Sequence, residues 1–191
     1  MLVTDGDLAN PVRPLVEALA GVDPAEVLVQ VRLKSWAPAA RRAAAERLVS
    51  TKAPLVINSD LGLARALGAG AHLPDQGDAV ASARAALGEN AWLGRSCHDA
   101  DGLARAEQEG ASYVTLGPVG PVPHKGNGQG VPWLIETARR TRLPVFALGG
   151  VAFGDIPALL AGGVHGVALM RAVPASASPA DTLRKLVAFT R

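Results

Sequence analysis

The sequence predicts one (β/α)8 barrel, a TIM barrel of parallel strands, as a single domain over residues 1–191. Short apolar, β-branched runs alternate along the whole chain with Ala-, Leu- and Arg-rich segments of helical period. The runs are nearly continuous in apolar residues, which is typical of parallel strands covered on both faces by helices. Since no Gly-x-Gly-x-x-Gly turn follows the first run, a closed barrel is favoured over an open doubly wound sheet.

The elements follow in order along the chain. The predicted strands are 1–4, 26–34, 54–58, 70–73, 91–97, 113–117, 144–149 and 166–170. Helical periodicity is clearest over 39–49, 102–109 and 132–140, and a short helix is expected to begin at Met170. The segment 118–130 has neither pattern, which is typical of an active-site lid or of a tolerated surface loop.

Composition excludes several function classes. The chain has 19 basic and 17 acidic residues without a long basic run, which argues against nucleic acid as a partner. Cys97 is the one cysteine, so an internal disulfide and a cysteine-based zinc site are excluded. With neither a signal peptide pattern nor an apolar stretch of about 18 residues, we expect a cytoplasmic protein without membrane contact. Small barrels often associate through their helices, and we expect a homodimer.

Polar residues stand where the second predicted strand ends. Gln30, Arg32 and Lys34 are spaced by two, which puts their side chains on one face of a strand. Either this face meets water, or it is buried and its two cations need an anionic partner. In a barrel strand the second alternative is favoured, and a phosphate or carboxylate ligand would supply the charge.

Other strand ends carry further candidate side chains. Each taken alone is typical of a structural hydrogen-bonding residue, but the carboxyl ends of barrel strands meet at one rim. They are Asn58, His72, Ser96, His98 and Thr115, with Lys125 following in the loop.

Glycines near the last two predicted strands suggest a phosphate site. Gly149 and Gly150 stand at the end of the seventh run, and Gly166 and Val167 lie in the eighth. Backbone N–H groups approach an anion closely where glycines replace larger residues, and barrels commonly bind phosphate after strands seven and eight. Tight turns would use the same glycines.

Together these residues resemble the thiamin phosphate synthase superfamily, which contains the synthase and the TenI family of thiazole tautomerases. The resemblance spans essentially the whole chain. It is carried by Val3-Thr4-Asp5, Gln30-Val31-Arg32-Leu33-Lys34, Asn58, Ala71-His72-Leu73-Pro74, Gly94-Arg95-Ser96-Cys97-His98, Tyr113-Val114-Thr115-Leu116-Gly117-Pro118-Val119, Lys125, Gly149-Gly150 and Gly166-Val167-Ala168.

The synthase pattern implies pyrophosphate contacts at five positions that match here, and a magnesium ion held by two carboxylates. The pyrophosphate positions are Arg32, Lys34, Asn58, Ser96 and Lys125. Ser59 stands at the first carboxylate position, and the second region, 75–78, has no clean match. A shifted alignment would offer Asp60 with Asp75 or Asp78.

Ser59 in place of a carboxylate speaks against the synthase. The 94–98 segment and Pro74 resemble the tautomerase branch more closely than the synthase. This implies an isomerase that aromatises a carboxythiazole phosphate without metal or cofactor, with His98 moving the proton. Arg32 and Lys34 would hold the substrate carboxylate, and the backbone of Gly149-Gly150 and Gly166-Val167 would hold its phosphate. The residues that would bind or orient the substrate are Gln30, Asn58, Ser96, Thr115 and Lys125.

Three alternatives stay open. The first is the magnesium-dependent synthase, a transferase that joins hydroxymethylpyrimidine pyrophosphate to thiazole phosphate. The second is a regulator that binds the phosphate ligand without turnover. The third concerns the proton carrier, which could be His124 or His72 instead of His98.

Overall fold

The computed structural model describes residues 1–123 and 126–190, which form eight parallel strands in sequence order and eight helices. The strands are β1 (Leu2–Val3), β2 (Val29–Val31), β3 (Leu55–Asn58), β4 (Gly70–Leu73), β5 (Leu93–Cys97), β6 (Tyr113–Leu116), β7 (Val145–Leu148) and β8 (Gly166–Ala168). The helices are α1 (Arg13–Leu19), α2 (Pro38–Val49), α3 (Leu61–Leu67), α4 (Val80–Leu87), α5 (Ala100–Gln108), α6 (Val131–Ala138), α7 (Ile156–Ala161) and α8 (Pro179–Ala188). The predicted (β/α)8 barrel is confirmed.

Backbone hydrogen bonds between β8 and β1 close the sheet. Val3 N–H donates to Leu169 O at 2.9 Å, and Leu169 N–H donates to Met1 O at 3.1 Å. Leu2 also forms a parallel bridge with Leu169. Each described strand therefore has a neighbour on both sides, which removes the open edges of a flat sheet.

The strands bury two apolar layers on their opposite faces. The outer layer packs against the helices, whereas the smaller inner layer fills the barrel and contains Val3, Val56, Tyr113 and Phe146. The Tyr113 ring lies directly over Gly94, where an added Cβ would be 2.1 Å from Tyr113 Cζ. Because the aromatic ring occupies this space, the barrel is filled with side chains at its amino-terminal end.

The short helices begin at residues suited to a first turn. Pro38, Pro132 and Pro179 occupy early positions of α2, α6 and α8, where a missing N–H is not needed. Asp60 and Asp99 cap α3 and α5 by accepting the N–H groups of the third residues along. These local signals let helices of six to twelve residues form between closely spaced strands.

The prediction of a helix that begins at Met170 is wrong. The chain makes one turn, in which Ala175 N–H donates to Arg171 O, and no helix begins before Pro179 in this described stretch. Ser176 Oγ donates to the Val173 carbonyl at 2.9 Å. A serine that hydrogen-bonds a nearby carbonyl in this way competes with helix continuation.

The described helices include none with the length and apolar character that a bilayer crossing requires.

An ion pair joins the loop after β8 to the end of β1. Arg171 Nε lies 2.5 Å from Asp5 Oδ2, and Asp5 Oδ1 accepts the Asp7 N–H. Burial raises the pKa of the Asp5 carboxyl, but these hydrogen bonds and the charges of Arg171 and Arg32 outweigh burial and hold the pKa below the ordinary 3.8. The ionised Asp5 thus stabilises the closure of the barrel.

Replacing Asp5 with Asn is expected to lower the free energy of unfolding near neutral pH. Because the pKa of Asp5 is lower in the folded chain than in the unfolded chain, its contribution is present above pH 3.8 and is lost as pH falls through the folded pKa. Urea unfolding at pH 7 and at pH 3 measures the difference between wild type and D5N. An equal difference at both pH values would contradict a stabilising ionised Asp5.

Candidate active site

The carboxyl ends of β2 and β3 turn their polar side chains into the barrel. Side chains alternate between the two faces of a strand, and Leu28 and Val56 belong to the inner layer. Gln30 and Asn58, two residues further along, consequently face the interior. Continuing the β2–β3 register puts Arg32 beside Asn58. Of the three residues spaced by two in the sequence, Gln30 and Arg32 therefore face inward, whereas Lys34 lies beyond the strand.

The next three strands extend the same rim. In the parallel register Asn58 of β3 pairs with His72 of β4, and Ser96 of β5 pairs with Thr115 of β6. Gly94 and Tyr113 mark the inner face of β5 and β6, so Ser96 and Thr115 lie two residues further towards the rim on that face. Residues from β2 to β6 that the sequence singled out are thus brought together.

A chain of hydrogen bonds fixes the side chains on β2 and β3. Gln30 Nε2 donates to Asn58 Oδ1 at 3.0 Å, and Asn58 Nδ2 donates to Ser59 Oγ at 2.9 Å. Ser59 has a φ of +62°, a left-handed conformation that a non-glycine residue rarely adopts. Backbone strain of this kind is concentrated at functional sites, which draws attention to Ser59.

Arg32 supplies positive charge to this rim. Its side chain is half-buried, and its backbone N–H donates to Thr4 Oγ1 at 2.7 Å. The guanidinium charge helps to lower the pKa of both Asp5 and His72. Lys34 lies beyond the end of β2 and is exposed. The potential around Arg32 favours an anionic ligand.

His72 is a neutral imidazole inside the barrel. The residue is 2% exposed, with Nδ1 3.1 Å from Tyr113 Oη and Nε2 2.9 Å from Ser96 Oγ. Burial, with the charges of Arg32 and Arg95, lowers the pKa of His72 from 6.5 to about 3. A ring with so low a pKa is a poor proton acceptor near neutral pH, which disfavours His72 as a proton carrier.

Thr115 carries a buried hydroxyl without a hydrogen-bond partner among the described residues. The residue is 2% exposed, and its Oγ1 is fully covered. Since an unpaired buried hydroxyl costs free energy, this oxygen marks a place where a ligand or a water completes the site.

His98 follows β5 and is exposed at the rim. Its Nδ1 lies 2.7 Å from the Gly117 carbonyl oxygen, which can only accept a hydrogen bond. Nδ1 therefore carries a proton, and in the neutral ring Nε2 has the free lone pair. The other loop candidates, His124 and Lys125, lie outside the described residues.

The loop after β6 packs tightly onto the loop after β7. Val119 and Gly120 N–H both donate to the Gly149 carbonyl, at 2.8 and 3.0 Å. Gly149 and Gly150 have φ values of +85° and +65°, and a Cβ at Gly150 would meet the Gly120 backbone at 2.4 Å. Both positions therefore favour glycine. They lie at the rim, directly after the carboxyl end of β7.

Gly166 and Val167 do not reach this rim. They form the first two residues of β8, and Gly166 pairs with Phe146, which belongs to the inner apolar layer. Continuing the β7–β8 register puts Leu169 and Met170 opposite the glycine pair. Gly166 and Val167 lie at the start of β8, towards the amino-terminal end of the barrel. This position conflicts with the phosphate contact that we expected of them.

Protein groups engage two of the three carboxylates that a shifted alignment offers as magnesium ligands. Asp60 caps α3, with Oδ1 2.9 Å from Leu63 N and Oδ2 3.4 Å from Arg41. Asp75 lies 3.7 Å from Arg105, and Asp78 is exposed on the same loop. Among the described residues, three or more His, Cys, Asp or Glu side chains nowhere come close enough to hold a metal ion.

Two cavities open at the opposite end of the barrel, with volumes of about 800 and 400 Å³. Both border Trp92, which is 53% exposed, and the larger one includes Arg65 and Glu89. Both cavities lie at the amino-terminal ends of the strands. In barrel enzymes this end contributes to stability, whereas the catalytic residues lie at the carboxyl ends of the strands. The polar rim is therefore the candidate active site.

Comparison with known proteins points to one family. The family profile described as thiamine monophosphate synthase matches residues 1–173. The thiamine-phosphate synthase of Salinispora tropica is 34% identical to this chain, over 97% of this chain and 94% of its own length. The thiamine-phosphate synthase of Halorhodospira halophila is 36% identical, over 95% of this chain and 91% of its own length. A putative thiamine-phosphate synthase of Geobacter sulfurreducens is 42% identical over 72% of this chain, which covers 66% of that relative. The solved structure of a thiamine phosphate pyrophosphorylase from Pyrococcus furiosus superposes with a TM-score of 0.83 at 25% identity, covering 99% of this chain and 95% of that one.

The expectation of a tautomerase-type isomerase is wrong. The relatives with similarity along nearly the whole chain are named thiamine-phosphate synthases, which are transferases, and the similar solved structure is named a pyrophosphorylase. The expectation depended on Ser59, Pro74 and the segment around His98, residues whose chemistry suits more than one reaction. The resemblance to the superfamily as a whole is confirmed.

Replacing Thr115 with Val is expected to raise the free energy of unfolding of the ligand-free chain by about 1 kcal/mol, because it removes a buried hydroxyl that has no described partner. Chemical denaturation measures this change. Thr141→Val serves as the control, since the Thr141 hydroxyl donates to Glu107 at 2.7 Å and its loss should destabilise. A destabilised T115V protein would mean that the hydroxyl is paired.

Proposed function

This chain belongs to the thiamine monophosphate synthase family, and on that basis we propose that it is a transferase that forms thiamine phosphate. In this reaction the carbon–oxygen bond between a pyrimidine methylene and pyrophosphate breaks, and the thiazole ring nitrogen of a thiazole phosphate bonds to that carbon. Pyrophosphate leaves with the electron pair. The observation that carries the proposal is the inward-facing position of Gln30, Asn58 and the cationic Arg32 on neighbouring strands.

In the proposed site, the pyrophosphate lies against the rim of β2 to β5. Arg32 and Lys34 contribute positive charge, and Asn58 and Ser96 contribute polar groups. Charge accumulates on the departing pyrophosphate as its bond to carbon breaks. Cations that are already positioned stabilise this charge without reorganisation, which lowers the barrier. Lys125, the fifth predicted pyrophosphate residue, lies outside the described residues.

The phosphate of the thiazole substrate is proposed to lie across the rim, at the ends of β7 and β8. Gly149 and Gly150 turn the chain at the carboxyl end of β7 with left-handed φ values, and barrels commonly bind phosphate on the backbone after strands seven and eight. The backbone of Leu169 and Met170 lies opposite them in register. Two anion sites on one rim would hold the two substrates with their reacting atoms between them. Gln30 and Thr115 would bind the ring portions.

One observation favours a second function, a protein that binds the phosphate ligands without turnover. The carboxylates nearest to the expected metal position are engaged with Arg41, Leu63 N–H and Arg105. A chain that lacks free hard oxygen ligands at this position could keep the phosphate sites and lose the reaction. Turnover separates the two functions.

The direct test supplies purified protein with hydroxymethylpyrimidine pyrophosphate, thiazole phosphate and magnesium. Thiamine phosphate and inorganic pyrophosphate are expected to appear in equal amounts. Binding of both substrates with no product would favour the binding protein, and failure to bind either substrate would contradict both functions.

Replacing Arg32 with Met is expected to lower kcat/KM for the pyrimidine pyrophosphate about a hundredfold, because one preorganised cation at a developing anion contributes on this scale. Arg140→Met is the matched control, since Arg140 lies on the surface in an ion pair with Glu136. Steady-state rates of the two variants at equal folded fraction give the comparison. A similar loss in both variants would contradict a role for Arg32 at the site.

A further inference from the structure

Three polar side chains from β4, β5 and β6 form a continuous hydrogen-bonded line inside the barrel. The line runs from Tyr113 Oη to His72 Nδ1 at 3.1 Å, and from His72 Nε2 to Ser96 Oγ at 2.9 Å. Tyr113 is 0% exposed and His72 is 2% exposed, whereas Ser96 is half-buried at the rim. The line therefore leads from the filled interior of the barrel to the candidate active site.

The direction of the first hydrogen bond follows from burial. Burial raises the pKa of Tyr113 well above its ordinary value, so the phenol keeps its proton. Among the described residues, His72 Nδ1 is the one hydrogen-bond partner found for this hydroxyl. A buried O–H that donates to nothing is costly, and the Tyr113 O–H consequently donates to Nδ1.

The direction of the second hydrogen bond follows from the first. The low pKa of His72 keeps the ring neutral, and a neutral imidazole has one N–H and one acceptor nitrogen. Because Nδ1 accepts from Tyr113, Nε2 carries the proton. Nε2–H then donates to Ser96 Oγ, and the Ser96 O–H cannot donate back to His72.

We propose that Tyr113 and His72 are positioning residues that make the Ser96 hydroxyl a hydrogen-bond donor directed at an anionic ligand. No other partner for this hydroxyl is found within residues 1–123 and 126–190, so its hydrogen is available to the site. A hydroxyl fixed as a donor suits a phosphate oxygen, which only accepts, and disfavours a ligand group that only donates. The inference rests on the proposed function in that pyrophosphate is taken as the ligand of Ser96.

The first test reads the tautomer of His72 directly. Nitrogen-15 NMR of protein labelled at histidine distinguishes protonated from unprotonated ring nitrogens, and loss of signals in His72→Gln identifies the residue. We expect a protonated Nε2 and an unprotonated Nδ1 in the ligand-free wild type from pH 6 to pH 8. A protonated Nδ1 would overturn the inference whether or not the protein is a synthase.

The second test asks whether Tyr113 acts through Ser96. Affinity for inorganic pyrophosphate is measured by calorimetry for Y113F, S96A and the double variant. Each single change is expected to weaken binding about tenfold, which is the scale of one hydrogen bond to a charged group. The double variant should bind no more weakly than S96A, because Tyr113 has nothing left to orient.

A matched control separates orientation from packing. Phe146 stacks edge-on against Tyr113 with ring centroids 5.6 Å apart and carries no polar atom. Phe146→Leu should disturb the inner packing and leave both the His72 tautomer and pyrophosphate affinity unchanged. Independent, additive losses in Y113F and S96A, or a loss in F146L equal to that in Y113F, would overturn the inference.

The outcomes also distinguish this inference from the proposed function. If the wild type binds pyrophosphate and the losses are additive, the positioning role fails and the proposed function stands. If the wild type does not bind pyrophosphate, the proposed site fails and Ser96 loses its proposed ligand.

Discussion

Closure of the sheet between β8 and β1 is the constraint on which the rest of this structure depends. The hydrogen bonds between Val3, Leu169 and Met1 give the first and last strands a second neighbour. Once the sheet is closed, each strand has one face towards the helices and one towards a narrow interior. The side-chain alternation along β2, with Gln30 and Arg32 on one face, is thereby fixed as inward. All carboxyl strand ends also meet at one rim, so short polar segments far apart in sequence become neighbours.

Apolar side chains fill the amino-terminal end of the barrel interior, and polar side chains line its carboxyl-terminal end. Tyr113 and Phe146 occupy the apolar part, and Gly94 leaves room for the Tyr113 ring. Polar side chains above them form hydrogen bonds with each other, as Gln30 and Asn58 do, or lack a partner among the described residues, as the Thr115 hydroxyl does. Arg32 is half-buried beside them, where the charge of an anion offsets the cost of desolvating a guanidinium. In the proposed function, an anionic substrate would add to the charge that Asp5 already places near Arg32.

The sequence predicted the fold well because the signals for it are local. Apolar runs of strand length and helical periodicity are read within a few residues, and all eight predicted strands are present among the described residues. The site was predicted in part, since a spacing of two in β2 also reports which side chains share a face. Gly166 and Val167 were assigned to the rim because a run of apolar residues does not show where the strand enters the barrel. The tautomerase prediction gave weight to Ser59 and His98, whose chemistry suits more than one reaction. Contacts such as His72 with Tyr113, 41 residues apart, need the folded register before they can be recognised.

The central claim is that one rim holds two anionic groups, one near Arg32 and one on the Gly149–Gly150 backbone. A crystal structure of the protein with thiamine phosphate and inorganic pyrophosphate tests it most directly. The account predicts pyrophosphate oxygens within hydrogen-bonding distance of Arg32 and Ser96, and the phosphate of thiamine phosphate on the backbone N–H groups after β7. Ligand bound in the cavities around Trp92 at the opposite end, with the rim empty, would contradict it.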